Sequence, residues 1–349
     1  MHDDTIDVRL EERFDLEHLA SYLKGRLPGM ENALSVRQFG GGAANLTYLL
    51  DYGTHEYVLR RPPLGPVART AHDMSREFKV LSVLYEAYPY APRAFLYCDD
   101  LDIIGAHFFI MERRHGIVVR RSLPAQFSSF QNAPQRMSEA LVDALAAFHA
   151  VGYEALGLED LGRPAGFIER QIEGWNRRWQ KAKLHDLPEM EAVYGWLKEN
   201  QPATTAFSLV HNDFKLDNVM LDANDPGQVV AVFDWDMCTL GDPLSDLGAL
   251  LSYWSESTDP PYMQAMAMMP VGDMGFMTRQ ELVERYGQQS GRSVADIKFY
   301  HTLGLFRVTV IIAQIYYRYQ RGQTKDSRFA IFETMIPMMA RAALETAAT

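Results

Sequence analysis

One short stretch of the chain, LVHNDFKLDNVML at residues 209–221, collects polar and charged side chains between apolar flanks that are typical of core strands. Burying such groups costs free energy unless they are paired or bind a cation. His211 lies two residues before Asp213, and Asn218 follows Asp213 by five. We therefore expect this stretch to serve chemistry rather than packing.

The spacing of these three residues matches the pattern H-x-D-x-x-x-x-N of kinase catalytic loops. In that pattern the aspartate accepts the proton of the substrate hydroxyl and the asparagine holds a metal ion. The sequence therefore predicts Asp213 and Lys215 as catalytic residues and Asn218 as a metal ligand. A serine hydrolase built on Ser208 and His211 is not indicated, because the chain has no G-x-S-x-G motif.

A second acidic residue follows in the segment QVVAVFDWDM, where Asp234 comes directly after an apolar strand. Mg²⁺ binds a few hard oxygen ligands together with substrate phosphates, so Asn218 and Asp234 are sufficient as its protein ligands. Asp236 is an alternative to Asp234. An aspartate that follows a strand is, taken singly, most often a turn former or a helix cap. The combination of motifs favours the metal site.

The first 114 residues alternate strand signals with turn residues. β-prone segments at 48–50 and 57–60 flank DYGTHE, which predicts a hairpin, and AHFFIMER predicts a further strand. Between them, apolar residues at helical spacing predict one helix over about 71–87. These elements define a small antiparallel α+β lobe over residues 1–114.

The remainder, residues 115–349, is predicted to be a larger and mostly helical lobe. Helical periodicity begins after Pro134 and returns in FIERQIEGWNRRWQKAK and in FYHTLGLFRVTVIIAQIYYRYQ. The two motif-bearing segments between these helices are predicted to be short strand-and-loop units.

Composition limits the possible partners. With 34 Lys and Arg against 45 Asp and Glu, the chain lacks the positive charge of a nucleic-acid binder. Two cysteines are too few for a disulfide framework or a thiolate metal site. The N-terminus does not resemble a signal peptide, and no apolar run is long enough for membrane insertion. We expect a cytoplasmic protein whose oligomeric state the sequence does not indicate.

Several segments together carry a family resemblance: FGGGAANLTYLL, YVLRRPP, SREFKVL, FFIMERRHG, HNDFKLDNVMLD and AVFDWDMCTLGDPLSDLG. The chain resembles the aminoglycoside phosphotransferase and choline kinase superfamily, small-molecule relatives of protein kinases. Two further segments, FIERQIEGW and FRVTVIIAQIYYRY, make it similar to the kinase-like N-terminal domain of acyl-CoA dehydrogenase family members 10 and 11 and to free-standing bacterial relatives. The resemblance implies a two-lobed protein-kinase-like fold that uses ATP and Mg²⁺.

The resemblance also assigns nucleotide-binding residues. Arg60 stands where kinases usually carry a strand lysine, and Glu77 stands where the helix carboxylate that pairs with it would be. Because strand side chains alternate, only one of Arg60 and Arg61 faces the nucleotide. The alternative reading of these two arginines is a solvated pair at a sheet edge.

Two other segments complete the assigned nucleotide site. Gly41, Gly42 and Asn45 belong to the expected phosphate-covering loop, and Met111 and Glu112 match the hinge that would bind adenine through its backbone. The loop GGGAAN departs from G-x-G-x-x-G, and arginine is not equivalent to lysine. These departures leave a nucleotide-binding pseudokinase as an alternative.

A third region, GDPLSDLG, predicts a helix start with Asp242 as N-cap and Pro243 in the first helical position. By resemblance, Asp246 would hold the backbone of the catalytic loop. A protein kinase is disfavoured, because no A-P-E segment follows Asp234 and GDPLSDLG leaves no room for an activation loop.

The function predicted from this evidence is the transfer of the γ-phosphate of ATP to a hydroxyl group of a small-molecule alcohol. Subgroup resemblance implies a hydroxyacyl acceptor, and an aminoglycoside or choline-type acceptor is the alternative. The acceptor would lie against Trp175, Trp179, Tyr253, Trp254 and a methionine-rich segment, or some subset of them. At helical spacing such side chains are also explained as core, so both readings are retained.

Overall fold

The computed structural model describes residues 4–40, 45–64, 73–203, 206–265, 267, 269–270, 274–324 and 326–348. The chain divides into two compact units, Met1–His115 with Ala231–Met237 and Gly116–Val230 with Cys238–Thr349. We call them unit 1 and unit 2. Among the described residues, no helix has both the length and the apolar character required to span a bilayer.

Unit 1 is built on a six-stranded antiparallel sheet with the strand order β1-β2-β3-β4-β6-β5. The strands are β1 (Thr5–Ile6), β2 (Ser35–Phe39), β3 (Leu46–Asp51), β4 (Glu56–Arg61), β5 (Ala94–Cys98) and β6 (Phe108–Glu112). β3 and β4 pair around a tight turn, which confirms the predicted hairpin. β4 lies between β3 and β6, so its side chains are in the interior of the sheet.

The described residues of unit 1 contain three α-helices, although the sequence predicted one. They are α1 (Leu16–Leu23), α2 (Met74–Leu84) and α3 (Leu101–Ile104). α2 falls within the predicted range 71–87, and the Asp73 carboxylate caps it by accepting hydrogen bonds from two backbone N–H groups. The other two helices are eight and four residues long, too short for a clear periodic signal.

Apolar side chains pack one face of the sheet against α1 and α3. Leu19 and Leu23 of α1 join Leu50, Leu59 and Phe108 in a single buried cluster.

The segment 231–237 is attached to the α2 side of unit 1. Trp235 packs edge-on against Tyr88, with ring centroids 5.9 Å apart, and the backbone N–H of Val232 donates to the Tyr90 carbonyl at 2.8 Å. These contacts position Asp234 within unit 1.

Unit 2 is mostly helical. Its helices are α4 (Ala133–His149), α5 (Phe167–Ala182), α6 (Pro188–Glu199), α7 (Leu244–Tyr253), α8 (Pro261–Ala265), α9 (Arg279–Ser290), α10 (Ile297–Gln320) and α11 (Phe332–Ala348). The strands β7 (Ile117–Val118), β8 (Ser208–Val210), β9 (Val219–Asp222), β10 (Asp225–Val232) and β11 (Thr239–Gly241) form two small sheets, ordered β10-β9-β7 and β11-β8. The end of β10 belongs to the segment 231–237 of unit 1.

α10 packs against α5, α6, α7 and α11. Its approach to α7 is especially close at two glycines. A Cβ atom at Gly248 would overlap the backbone of Tyr300, and one at Gly304 would overlap Ser252 and the backbone of Gly248. Glycine is therefore required on both helices where they cross.

Candidate active site

The predicted catalytic loop connects β8 to β9 in unit 2, and its three functional side chains lie together. Lys215 Nζ is 2.9 Å from Asp213 Oδ2. Asn218 Nδ2 donates to the same carboxylate oxygen at 3.0 Å and to the Asp213 carbonyl at 2.8 Å. The Asp213 side chain stays 17% exposed. The Asp213 carboxylate is thus oriented by two neighbours and still accessible.

The charge state of Lys215 bears on the chemistry. Burial would lower the pKa of the Lys215 ammonium, but the adjacent Asp213 and Asp217 carboxylates raise this pKa above its ordinary value. Lys215 therefore remains a cation at neutral pH. It can neutralise negative charge, and it is unsuited to act as a base. Asp213 is the better candidate for proton acceptance.

The backbone of the loop is fixed from below by Asp246, near the start of α7. The two carboxylate oxygens of Asp246 accept hydrogen bonds from the backbone N–H groups of His211 at 2.6 Å and Asn212 at 2.7 Å. The imidazole of His211 in turn accepts the Asp213 N–H at 3.2 Å. The contact that the resemblance implied for Asp246 is therefore present.

A buried hydrogen-bond chain supports Asp246. His149 Nε2 lies 3.2 Å from Asp246 Oδ2, and His149 Nδ1 lies 2.7 Å from the Tyr286 hydroxyl. Burial lowers the pKa of His149, although Asp246 opposes this shift. Burial would raise the pKa of Asp246, but the hydrogen bonds from His149 and the loop backbone hold it below its ordinary value. A neutral His149 donating to an ionised Asp246 fits both shifts.

The turn into the loop has unusual backbone geometry. Asn212, directly before Asp213, has φ of 66°, in the left-handed region. Asparagine is one of the few residues other than glycine that adopt this region readily. The positive φ of Asn212 therefore marks the turn at which the chain leaves the direction of β8, directly before Asp213.

Asn218 also fits its predicted role as a metal ligand. Its amide nitrogen is used by Asp213, which leaves the carboxamide oxygen Oδ1, a hard donor of the kind that Mg²⁺ prefers. Within the described ranges, no three His, Cys, Asp or Glu side chains form a cluster that would bind a metal by themselves. Mg²⁺ can take phosphate oxygens as further ligands beside a carboxamide oxygen.

In unit 1, the predicted nucleotide-binding cation is held by two carboxylates. Arg60 Nε donates to Glu77 at 2.9 Å, and Arg60 Nη2 donates to Asp234 Oδ1. The Glu77 side chain is 1% exposed and that of Asp234 is 28% exposed. Burial would lower the pKa of Arg60, but Glu77 and Asp234 together raise it above its ordinary value. The guanidinium is thus charged and fixed in direction.

Asp234 Oδ1 accepts a direct bond from Arg60, and the charge of Asp236 also raises the pKa of Arg60. Asp234 has φ of 69°, and a left-handed residue directly after a strand turns its side chain out of the strand direction. Both aspartates therefore act on Arg60, and the choice of Asp234 over Asp236 as metal ligand stays a prediction.

Arg61 occupies the opposite face of β4. It is 2% exposed, and its Nη2 donates to the Tyr48 hydroxyl at 2.8 Å and to the Glu12 carbonyl at 2.6 Å. The predicted alternation of the two arginines is confirmed. The alternative reading, a solvated pair at a sheet edge, is wrong, because both side chains are buried in a central strand.

The other predicted nucleotide-binding residues lie on strands of the same sheet, directly before one, or outside the described residues. Asn45 is buried directly before β3. Met111 is buried on β6, and the Glu112 N–H donates to the Arg93 carbonyl at 2.8 Å. Gly41 and Gly42 lie outside the described residues.

The α+β fold and the catalytic loop define a kinase-like phosphotransferase. Residues 35–275 match the model of the phosphotransferase enzyme family, and the chain belongs to this family.

The curated relatives of the chain include acyl-CoA dehydrogenase family member 11 from several animals. It is 32% identical to rat acyl-CoA dehydrogenase family member 11 over 96% of this chain and 44% of the relative. The human family member 11 is 31% identical over 98% of this chain and 44% of that protein. This chain spans less than half the length of these relatives.

Solved structures agree on the fold. A proposed aminoglycoside phosphotransferase from Ralstonia eutropha JMP134 has a TM-score of 0.82 and 28% identity, covering 96% of this chain and 99% of that one. Choline kinase from Cryptosporidium parvum Iowa II has a TM-score of 0.62 and 9% identity, covering 96% and 94%. The protein-kinase-like fold and the superfamily resemblance are thereby confirmed.

Sequence reasoning missed the chain from Tyr286 through His149 to Asp246. The three residues lie on three different helices, and His149 is 97 residues from Asp246. His149 carries no motif of its own. The sequence shows only that His149 ends an apolar helix pattern. This pattern does not indicate that His149 bonds to Asp246 or Tyr286.

Proposed function

We propose that this protein transfers the γ-phosphate of ATP to a hydroxyl group of a small-molecule acceptor. Family membership makes it a phosphotransferase. The observation that carries the proposal is the geometry of the catalytic loop, in which Asp213 is oriented by Lys215 and Asn218 above the backbone clamp of Asp246.

In the proposed reaction, the acceptor hydroxyl oxygen forms a bond to the γ-phosphorus. The bond from that phosphorus to the bridging oxygen breaks, and its electron pair leaves with ADP. Asp213 orients the hydroxyl and takes its proton, a role that is typically worth about 10²- to 10⁴-fold in rate. Lys215 offsets negative charge near Asp213. A bound Mg²⁺ would neutralise charge on the phosphate oxygens.

The nucleotide is proposed to contact unit 1. Arg60, aimed by Glu77, would bring its guanidinium charge to the α- and β-phosphates. Asn45, with Gly41 and Gly42, would cover the phosphates. The backbone at Met111 and Glu112 would bind adenine through groups other than the Glu112 N–H, which donates to Arg93. Asp234 and Asn218 are the proposed magnesium ligands. Arginine at position 60 supports the same charge role as lysine with a different geometry.

For the acceptor, a hydroxyacyl compound is our first choice. The similarity to acyl-CoA dehydrogenase family members 10 and 11 supports it. The fold similarity to the Ralstonia eutropha protein supports an aminoglycoside as the second choice. A pseudokinase is less well supported, since Asp213, Lys215 and Asn218 retain a complete catalytic arrangement.

The test is ADP formation in the presence of Mg²⁺ with a panel of hydroxy acids, their CoA thioesters, choline and aminoglycosides. We expect one acceptor class to stimulate ADP release and to yield a product one phosphoryl group heavier by mass spectrometry. Asp213→Asn serves as the inactive control. ATP binding without ADP release for every acceptor would contradict the proposal and favour the pseudokinase.

A further inference from the structure

Three groups surround the ammonium of Lys215, the lysine of the catalytic loop. Its Nζ atom lies 2.9 Å from Asp213 Oδ2 and 3.9 Å from Asp217 Oδ1. The same atom lies over the ring of Tyr253, 4.9 Å from the ring centroid. A cation at such a distance is attracted by the negative face of an aromatic ring. Tyr253 therefore contacts the charge that lies next to the proposed base.

Lys215 lies within reach of two carboxylates, and their attraction alone does not determine which of them it pairs with. Lysine carries its charge at the end of a flexible four-carbon stem. The side chains of Asp213 and Asp217 are equally exposed, at 17% each. If the ammonium turned toward Asp217, the Asp213 carboxylate would lose the positive charge that orients it. A third contact that holds the ammonium in place would prevent this.

Tyr253 is the last residue of α7, the helix that also carries Asp246. The spacing from 246 to 253 is about two helical turns, which places both residues on the same face of α7. Asp246 binds the backbone of the loop at His211 and Asn212. The same face of α7 thus contacts the loop twice, at its backbone through Asp246 and at the Lys215 side chain through Tyr253.

The contact is made by the ring of Tyr253 rather than by its hydroxyl group. Burial raises the pKa of this hydroxyl and the Asp213 carboxylate raises it further, so the side chain is uncharged at neutral pH. Among the residues that the structure describes, the hydroxyl forms no hydrogen bond. Tyr253 and Lys215 also border a gap of about 10 Å³, next to Leu250 and Trp254, which has space for about one water. The ammonium therefore has little room to move on this side.

We propose that Tyr253 is a positioning residue of the reaction, whose ring holds the Lys215 ammonium beside Asp213. This inference rests on the proposed phosphotransfer at Asp213. The ring adds no charge and takes no proton. It keeps the ammonium where its charge offsets the negative charge of Asp213 and of the incoming phosphate. The ring should therefore affect the rate at saturating substrate and leave the affinities for ATP and for the acceptor unchanged.

The first experiment measures ADP release by the full chain with the acceptor identified by the panel of hydroxy acids, thioesters, choline and aminoglycosides. Tyr253→Leu removes the ring, and we expect kcat to fall about 3- to 30-fold, the rate equivalent of one cation–π contact. The KM values should stay unchanged. Tyr253→Phe keeps the ring and should retain the kcat of the wild type. The matched control is Tyr317→Leu, which removes a ring whose centroid lies 4.9 Å from the Arg321 guanidinium carbon and should change neither constant.

A double-mutant cycle with Lys215→Met separates positioning from packing, since methionine nearly keeps the length of the side chain and removes its charge. In the Lys215→Met background, Tyr253→Leu should change kcat by less than about twofold, because the ring no longer has an ammonium to hold. Additive effects of the two substitutions on kcat would overturn the inference and assign Tyr253 to packing. If Tyr253→Leu does not fold, as its unfolding midpoint shows, Tyr253→Met replaces it, since methionine adapts to irregular spaces.

Two further results would overturn the inference. An unchanged kcat in Tyr253→Leu would show that the ring does not act on the reaction, and a higher KM for the acceptor in that variant would make the ring an acceptor contact. A loss of kcat in Tyr253→Phe would assign the effect to the hydroxyl group instead of the ring.

If no acceptor yields ADP, the proposed function fails separately, and NMR relaxation of the Lys215 ε-methylene group tests the positioning by itself. We expect this group to be restricted in the wild type and in Tyr253→Phe. In Tyr253→Leu it should be as mobile as the ε-methylene group of Lys181, which is exposed on α5. Equal mobility of Lys215 in all three proteins would show that the ring does not hold the ammonium.

Discussion

The catalytic loop of unit 2 and the Arg60 cluster of unit 1 hold charged groups in two different ways. In the loop, Asp246 is fully buried and binds the backbone, while the Asp213 carboxylate remains partly exposed. In the Arg60 cluster, the guanidinium bonds directly to Glu77 and Asp234. In the loop, the residue that supports the backbone, Asp246, is separate from the residue proposed to accept the proton, Asp213. In the cluster, the residues that hold Arg60 are themselves among those proposed to bind the nucleotide and its metal.

This difference has a consequence for substitutions. Replacing a reacting group of the loop should change the rate with little effect on folding. Replacing a support should change folding as well, because it leaves buried donors unsatisfied. In the Arg60 cluster, a substitution removes at least one partner of a buried charge, so nucleotide affinity and stability should change together.

The largest expected effect on rate is that of Asp213→Asn. We expect kcat to fall about 10²- to 10⁴-fold, since the general base is lost. Stability and ATP affinity should be retained, because the clamp by Asp246 is untouched. The measurement is ADP release together with equilibrium binding of ATP. Asp99→Asn, at an exposed position, is the matched control; a loss of ATP binding in Asp213→Asn would contradict the separation of roles.

Asp246→Asn should produce the largest loss of stability. An amide at this position turns one acceptor into a donor that faces a backbone N–H, and the cost of such an unsatisfied buried group with its lost charge is about 2–4 kcal/mol. Urea unfolding measures it. We also expect kcat to fall because the loop backbone loses its clamp. A variant with wild-type stability would show that the loop is held by other contacts.

Arg60→Lys and Glu77→Gln test the cluster as a double-mutant cycle. Lysine can reach one carboxylate where arginine bonds to two, so we expect a coupling energy of about 1–3 kcal/mol. In each variant of the cycle, we expect a lower free energy of unfolding to be accompanied by a higher KM for ATP. Additive effects of the two substitutions on unfolding would indicate that arginine pairs with Glu77 no better than lysine does.

Asn218 combines a supporting and a ligand role, and two substitutions separate them. Asn218→Ala should raise the Mg²⁺ concentration for half-maximal rate by at least about 10-fold, as expected for lost metal-site groups. Asn218→Asp keeps the oxygen and loses the donor to Asp213, so kcat should fall while the Mg²⁺ dependence is retained. Asn224→Ala, exposed after β9, is the control. Equal Mg²⁺ dependence in all three variants would remove Asn218 from the metal site.

The smallest effect concerns pH. The pKa of His149 is lowered in the folded protein, so His149 stays neutral there while it takes a proton in the unfolded chain below about pH 6.5. Its stabilisation is therefore complete above pH 6.5 and is lost as the pH falls, by up to about 1.4 kcal/mol per pH unit. His149→Gln should reduce this slope in urea unfolding between pH 7.5 and 5.5. His185→Gln, at an exposed position, should leave it unchanged.

The sequence predicted features that depend on neighbouring residues. The catalytic loop was recognisable because His211, Asp213 and Asn218 lie within eight residues, and α5 and α10 because long helices repeat their apolar pattern. The opposite faces of Arg60 and Arg61 followed from strand alternation. Each of these rests on local geometry.

Contacts between distant residues were harder to predict. Arg60 and Asp234 are 174 residues apart, and their bond was expected from neither motif. The Tyr286–His149–Asp246 chain joins three helices whose packing the periodicity does not specify. Trp175 was explained equally well as core, and the structure does bury it. Its stacking with Arg178 and Arg307 depends on how α5 and α10 pack together.

α7 and α10 cross in close contact at Gly248 and Gly304, and this contact fixes their relative position. Since neither helix has room there for even a methyl group, the two helices cannot slide past each other. α7 ends in Tyr253, beside the loop, and α10 carries Arg307 less than one turn beyond Gly304. The rigid crossing therefore fixes the distance between the catalytic loop beside Tyr253 and the part of α10 that follows Gly304.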